Sequence, residues 1–182
     1  MQRTIVAPAE MPGAALDELK QWLGIRTGAV GDDAMLVALL RAALETCEAF
    51  TGSVPLACGI EEVLPATADW RALSSKPVIA IVGLDGIAAE GARFALAADA
   101  YEADIEADGT GRVRVTSQGS AGRVAVRLTA GLAPAWELLP GAVRHGIVRL
   151  AAHHWRDRDG GSDAAPPAAV AALWRPWRRM RL

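Results

Sequence analysis

The side chains that could carry chemistry form three small sets. His145, His153 and His154 are the only histidines, and Asp157 lies one helical turn beyond His153. On a helix His153 and His154 diverge by about 100° and cannot hold one ion together. His145 and His153 share a face, but Asp157 is the only further donor near them, so no metal site and no cofactor are expected. Glu61, Glu62, Glu102, Asp104 and Glu106 could supply paired carboxylates for general acid–base work. The last three alternate along a strand pattern and face Arg112 and Arg114, which makes them a solvated face instead. Gly119-Ser120-Ala121-Gly122 lacks the spacing of a nucleophile elbow. Gly109-Thr110-Gly111 lacks the third glycine and the helix of a dinucleotide fold. No catalytic residue emerges, and the chain does not read as an enzyme.

The chemistry of attachment is better represented. The last twelve residues hold four arginines, no carboxylate and two of the six tryptophans. Val170, Leu173, Trp174 and Trp177 fall at i, i+3, i+4 and i+7, an apolar stripe if the segment is helical. Pro176 disfavours helix at Arg175, so a short helix with an extended end is expected. Arg175, Arg178, Arg179 and Arg181 then suit an acidic protein surface or phosphates. The alternative is a segment packed on its own domain.

The elements that would position these residues follow from periodicity. Helices are expected at about 15–23, 33–51 and 141–158. Gly24 and Gly52 end the first two, and Asp32 and Asp33 offer an N-cap to the second. Leu36, Leu39, Leu40, Ala43, Leu44, Cys47 and Phe50 mark its buried face. In the third, Gly146 costs about 1 kcal/mol against alanine, which points to another backbone packing closely there. Residues of about 55–130 switch to strand alternation and read as a small antiparallel insertion. Within it, placing Glu106 opposite Arg112 sets Asp104 opposite Arg114, two pairs of opposite sign. The fold class expected is α+β, mainly α: a helical hairpin and a third long helix as a domain over 1–159, a hinge at 160–169 and a docking tail at 170–182.

Composition is that of a folded chain, with 52% apolar and 22% charged residues in 182. The net charge of −2 is uneven, because the four tail arginines leave 15 basic against 21 acidic groups over the body. A body of that sign does not hold DNA by counterion release. The two cysteines form no framework, and Cys47 suits a buried thiol. There is no signal peptide and no apolar run of membrane-spanning length, so synthesis in the cytoplasm is expected. Lys20 and Lys76 are the only lysines among 19 basic residues.

Three segments in order resemble a known family. Pro12-Gly13-Ala14-Ala15-Leu16-Asp17-Glu18-Leu19-Lys20-Gln21-Trp22-Leu23 is similar to the opening P-x-x-L-x-E-x-K-x-x-L of head–tail connector (adaptor) proteins of tailed bacteriophages, prophages and gene transfer agents. Asp32 to Ala43, running on to Glu48-Ala49-Phe50-Thr51-Gly52, resembles their second helix. Leu139 to Arg144, through His153-His154-Trp155-Arg156, resembles their third. The Pro/Gly hinge and the Trp/Arg tail depart from the pattern in detail.

The resemblance implies a structural adaptor that forms a ring, dodecameric like the portal below which it sits, at the head–tail junction of a virion or phage-like particle. Its partners would be the portal, the next connector, stopper or tail protein, and further copies of itself. DNA would pass along the extended channel without specific binding, and no membrane is involved. On that reading Val170, Leu173, Trp174, Arg175, Trp177, Arg178, Arg179 and Arg181 dock on the portal. Asp108, Gly109, Thr110 and Gly111, on the turn-rich β block, meet the next tail component. Two rivals stand beside it: a small DNA-binding module using the basic C-terminal tail, and a hydrolase using Glu102 or Asp104.

Overall fold

A computed structural model describes residues 2–157 and 165–178. Among these the chain forms four α-helices and eight strands, 35% helix against 31% strand. The expectation of a mainly helical protein with a small β insertion is therefore corrected. The strands make two antiparallel sheets, and the alternation over residues 55–130 understated them because bulges and short strands interrupt the period. The chain divides into a β unit, residues 1–9 with 57–132, and a helical unit, residues 10–56 with 133–182.

The β unit begins with β1 (Gln2–Ala7), which pairs antiparallel with β2 (Cys58–Pro65). The five-stranded sheet runs β1-β2-β8-β4-β5, with β4 at Val78–Ala88, β5 at Arg93–Ala95 and β8 at Ala121–Ala130. Alternate residues Ile60 and Leu64 of β2 are buried, as are Leu84 and Ile87 of β4 and Val124, Val126 and Leu128 of β8. Glu62 is buried among them, yet its carboxylate accepts hydrogen bonds from Ser74 N (2.8 Å), Ser74 Oγ (2.9 Å) and Ser75 N (2.7 Å). Three donors, two of them backbone amides, compensate the loss of water around the charge.

The second sheet is β3 (Arg71–Ala72), β7 (Gly111–Val115) and β6 (Tyr101–Ile105), in the order β3-β7-β6. Its hairpin register differs by two residues from expectation: Asp104 lies opposite Arg112 and Glu102 opposite Arg114. The turn decides this. Glu106 N donates to Thr110 O (2.9 Å) and Gly109 N to Glu106 O (2.8 Å), with Gly109 left-handed at φ 78°. Such a three-residue loop uses Glu106 to close the turn, so it is not the partner of Arg112 across the ladder. A shift of two keeps every side chain on its face, and opposite charges still meet.

The helical unit holds α1 (Gly13–Leu23), α2 (Asp33–Thr51), α3 (Gly141–Arg156) and α4 (Ala168–Trp174). Leu19, Leu36, Leu40, Ala43, Cys47, Val143, Ile147 and Leu150 form its core with Trp136, whose indole N–H donates to Glu18 Oε2 at 3.0 Å. Asp32 occupies the N-cap of α2 without a side-chain bond. Asp33 instead meets buried Lys20, whose ammonium donates to Thr27 O (3.1 Å) and Ala29 O (2.6 Å) and reaches Asp33 Oδ1 at 2.6 Å. A compact ammonium with three donors can serve three acceptors around one point, where a planar guanidinium could not. That accounts for a lysine at this position in an arginine-rich chain.

Candidate docking surfaces

The C-terminal segment presents two faces with different fates. Trp174 is 0% exposed, and Val170 is buried beside it. The Trp174 indole N–H donates to Val143 O at 3.2 Å, its ring lies 6.0 Å from that of Phe50, and it covers Gly146 on α3. Val170 and Trp174 are thus core residues of the helical unit, and the expectation of Trp174 as an accessible anchor is corrected by its burial. The close neighbour inferred at Gly146 is this indole and not a backbone. Leu173 is half-buried, Trp177 half-buried, and Arg175 and Arg178 exposed. Arg178 lies over the Phe50 ring at 5.6 Å. After α4 the chain makes a 3₁₀ turn at Arg175–Trp177 and becomes extended at Arg178. Arg179 and Arg181 lie outside the described residues, as do residues 160–164, the first half of the expected hinge.

The loop Asp108–Gly111 is fastened at several points. Asp108 accepts from Thr110 N and Thr110 Oγ1, both at 2.8 Å, and Lys76 Nζ donates to Thr110 Oγ1 at 2.9 Å. Gly109 abuts Pro77, and its carbonyl accepts from Val78 N at 2.8 Å. Thr110 and Gly111 are buried, Gly109 is half-buried, and Asp108 is exposed. The exposed part of the turn is its rim at Ala107 and Asp108.

The acidic residues weighed for catalysis are engaged in a charged ladder. Arg112 pairs with Asp104 (2.8 Å) and Glu106 (3.0 Å), and Arg114 with Glu102 (2.8 Å). Trp70 stacks against both guanidiniums, 5.0 Å from Arg112 and 4.9 Å from Arg114. Glu61 is held below the usual carboxylate range, first by its hydrogen bonds from Arg93.

The histidines are separated by their packing. His145 meets Trp22 edge-on at 5.0 Å, with Arg149 6.0 Å from the same ring. The rings of His153 and His154 stand 6.0 Å apart. His154 is pushed below its ordinary value, first by burial and then by the charge of His153. Among the described residues, no three His, Cys, Asp or Glu side chains could hold one metal ion. No helix among them is long and apolar enough to cross a membrane.

Sequence reasoning missed Lys20 and the Gly146–Trp174 contact. The scarcity of lysine was a signal for the first. For the second, Gly146 on one helix and the Val170/Trp174 stripe on another were each visible, but not that they meet.

No family model matches the chain, and no curated protein matches it. Solved structures do. A chain in the neck of an empty gene transfer agent particle, computed with C6 symmetry, is 28% identical, with a TM-score of 0.78 over 100% of this chain and 97% of that one. A chain in the neck of the native particle, computed with C12 symmetry, is 27% identical with a TM-score of 0.75 and the same coverage. A chain in the virion of the native particle gives 28% and 0.74. The likeness spans the whole chain and, with the order of the three helices, supports a head–tail connector-like protein similar to chains of gene transfer agent necks.

Proposed function

We propose that this chain is a structural adaptor subunit of a ring at the head–tail junction of a phage-like particle, where it joins the portal to the next tail component and extends the DNA channel. The observation that carries the reading is the whole-length likeness to chains of gene transfer agent necks computed with C6 and C12 symmetry. The acidic body suits a channel along which DNA slides without adhering. The tail docks on the portal through what it leaves exposed: Arg175, Arg178 and the accessible part of Trp177, with Arg179 and Arg181 following in sequence. The rim of the Asp108–Gly111 loop faces the next tail component, because it projects from a tied-down hairpin.

Deleting the gene in a particle-producing cell tests this. DNA-filled heads without tails are expected, restored by supplying the chain in trans. Normally tailed particles in the deletion strain would overturn the reading. Mass measurement of the purified chain, with and without the portal protein of the same genome, should give a ring only in the portal's presence.

A further inference from the structure

The five-stranded sheet has two open edges, each with an apolar stretch. At one end β1 is exposed on both faces along all six residues, with Ile5 46% and Val6 57% exposed, and among the described residues it pairs only with β2. At the other end β5 covers only Asp85–Ile87 of β4. Between the bonds of Val78 N to Gly109 O and of Leu96 N to Leu84 O, residues 79–83 of β4 have β8 on one side and no hydrogen-bonded strand on the other, though β6 of the second sheet stands near β4. Ile79 and Val82 stand at the two bulges of this segment, 49% and 66% exposed.

An open apolar edge invites another strand. The edges are also matched in direction and length. Each neighbouring pair in the order β1-β2-β8-β4 is antiparallel, so β1 and β4 run in opposite directions. Repeating the sheet with the same orientation sets β1 of one copy antiparallel to β4 of the next, the arrangement already used at every other step. Six residues of β1 meet a segment of five, bounded by β5 beyond.

A ring requires this kind of pair. Cyclic assemblies of more than two copies use a heterologous interface, in which two different surfaces of one chain are complementary. We propose that β1 of each subunit adds to residues 79–83 of β4 in its neighbour, so that Ile5 and Val6 cover Ile79 and Val82 and the sheets continue around the ring. This rests on the reading of the chain as a ring subunit. The bulges at Ile79 and Val82 bend the β4 edge and hinder pairing with arbitrary strands. Subunits held side by side on the portal would supply the local concentration that free chains lack.

Disulfide trapping in assembled particles tests it, since the two native cysteines are both buried. Variants combining Val82→Cys with Thr4→Cys, Ile5→Cys or Val6→Cys in turn should, for at least one pair, oxidise to a ladder running from dimer to the full ring. The single variants should stop at monomer or dimer. Val82→Asp should lower the yield of tailed particles at least tenfold while leaving the melting temperature of the purified chain unchanged. A ring present in the neck with no ladder from any pair, or normal tailing by Val82→Asp, overturns the edge pairing and leaves the ring reading standing. Absence of the wild-type chain from the neck overturns both.

Discussion

The indole of Trp174 lies over Gly146 of α3, with ring atom Cε2 2.8 Å from where a Cβ on that glycine would stand. The contact lets α4 sit close on α3, and the indole N–H finds Val143 O one turn earlier. It turns a segment that resembles an attachment arm into part of the helical core. Gly146→Ala should displace the indole and destabilise the helical unit. Trp174→Ala should cost about 3–5 kcal/mol, the range for emptying a buried aromatic site. Chemical denaturation followed by tryptophan fluorescence measures both. Unchanged stability in Trp174→Ala would show that α4 is not docked.

The exposed half of the same segment should behave differently. Arg175→Ala with Arg178→Ala should leave stability within about 0.5 kcal/mol of the native chain, as expected for surface sites. Joining to the portal should become slower and more sensitive to salt, because exposed charges chiefly set association rate. Equal joining rates at low and high salt in both proteins would remove these arginines from the interface.

Lys20 ties the α1–α2 connection together from inside. Lys20→Met keeps the stem but removes the ammonium from Thr27 O, Ala29 O and Asp33. A loss of about 1.5–3 kcal/mol is expected, the range for a hydrogen-bonded charge. Hydrogen exchange should quicken first over residues 24–33. If protection there is unchanged, the tie is not what orders the loop.

Glu62 organises the β unit in the same way. Glu62→Gln preserves shape but turns an amide donor toward donors at Ser74 and Ser75. About 1–3 kcal/mol of stability should be lost. A variant as stable as the native protein would mean that the loop can turn its donors to water.

Cys47 gives a pH-dependent signature. Burial, the largest influence, pushes its thiol from 9.0 up to about 12, against a smaller lowering by the Thr51 hydroxyl. The folded state keeps a proton that the unfolded state releases, so this contribution is fully present below pH 9 and is lost as pH rises toward 12. Near pH 10 the loss should be on the order of 1 kcal/mol relative to Cys47→Ala. Parallel stability curves for the two proteins between pH 8 and 10.5 would contradict it, as would rapid alkylation of Cys47 in the native chain.

The sequence by itself determined the local elements, because their causes are local. Glycines at 24 and 52 end the first two helices in the left-handed region. Of the face expected on α2, Leu36, Leu40, Ala43 and Cys47 are buried at helical spacing, and Leu39, Leu44 and Phe50 are half-buried. The charges of the β6–β7 hairpin meet because a strand alternates with period two. Only the tertiary structure decided what depends on residues far apart in the chain. β1 joins a strand more than fifty residues away, and no period within six residues announces a partner. The two sheets, nearly equal to the helices in extent, were understated because their bulges broke the alternation that would have revealed them. Trp174 faces inward because Gly146, 28 residues earlier, leaves room for it, and a stripe of apolar residues looks the same whether its partner is in the same chain or another.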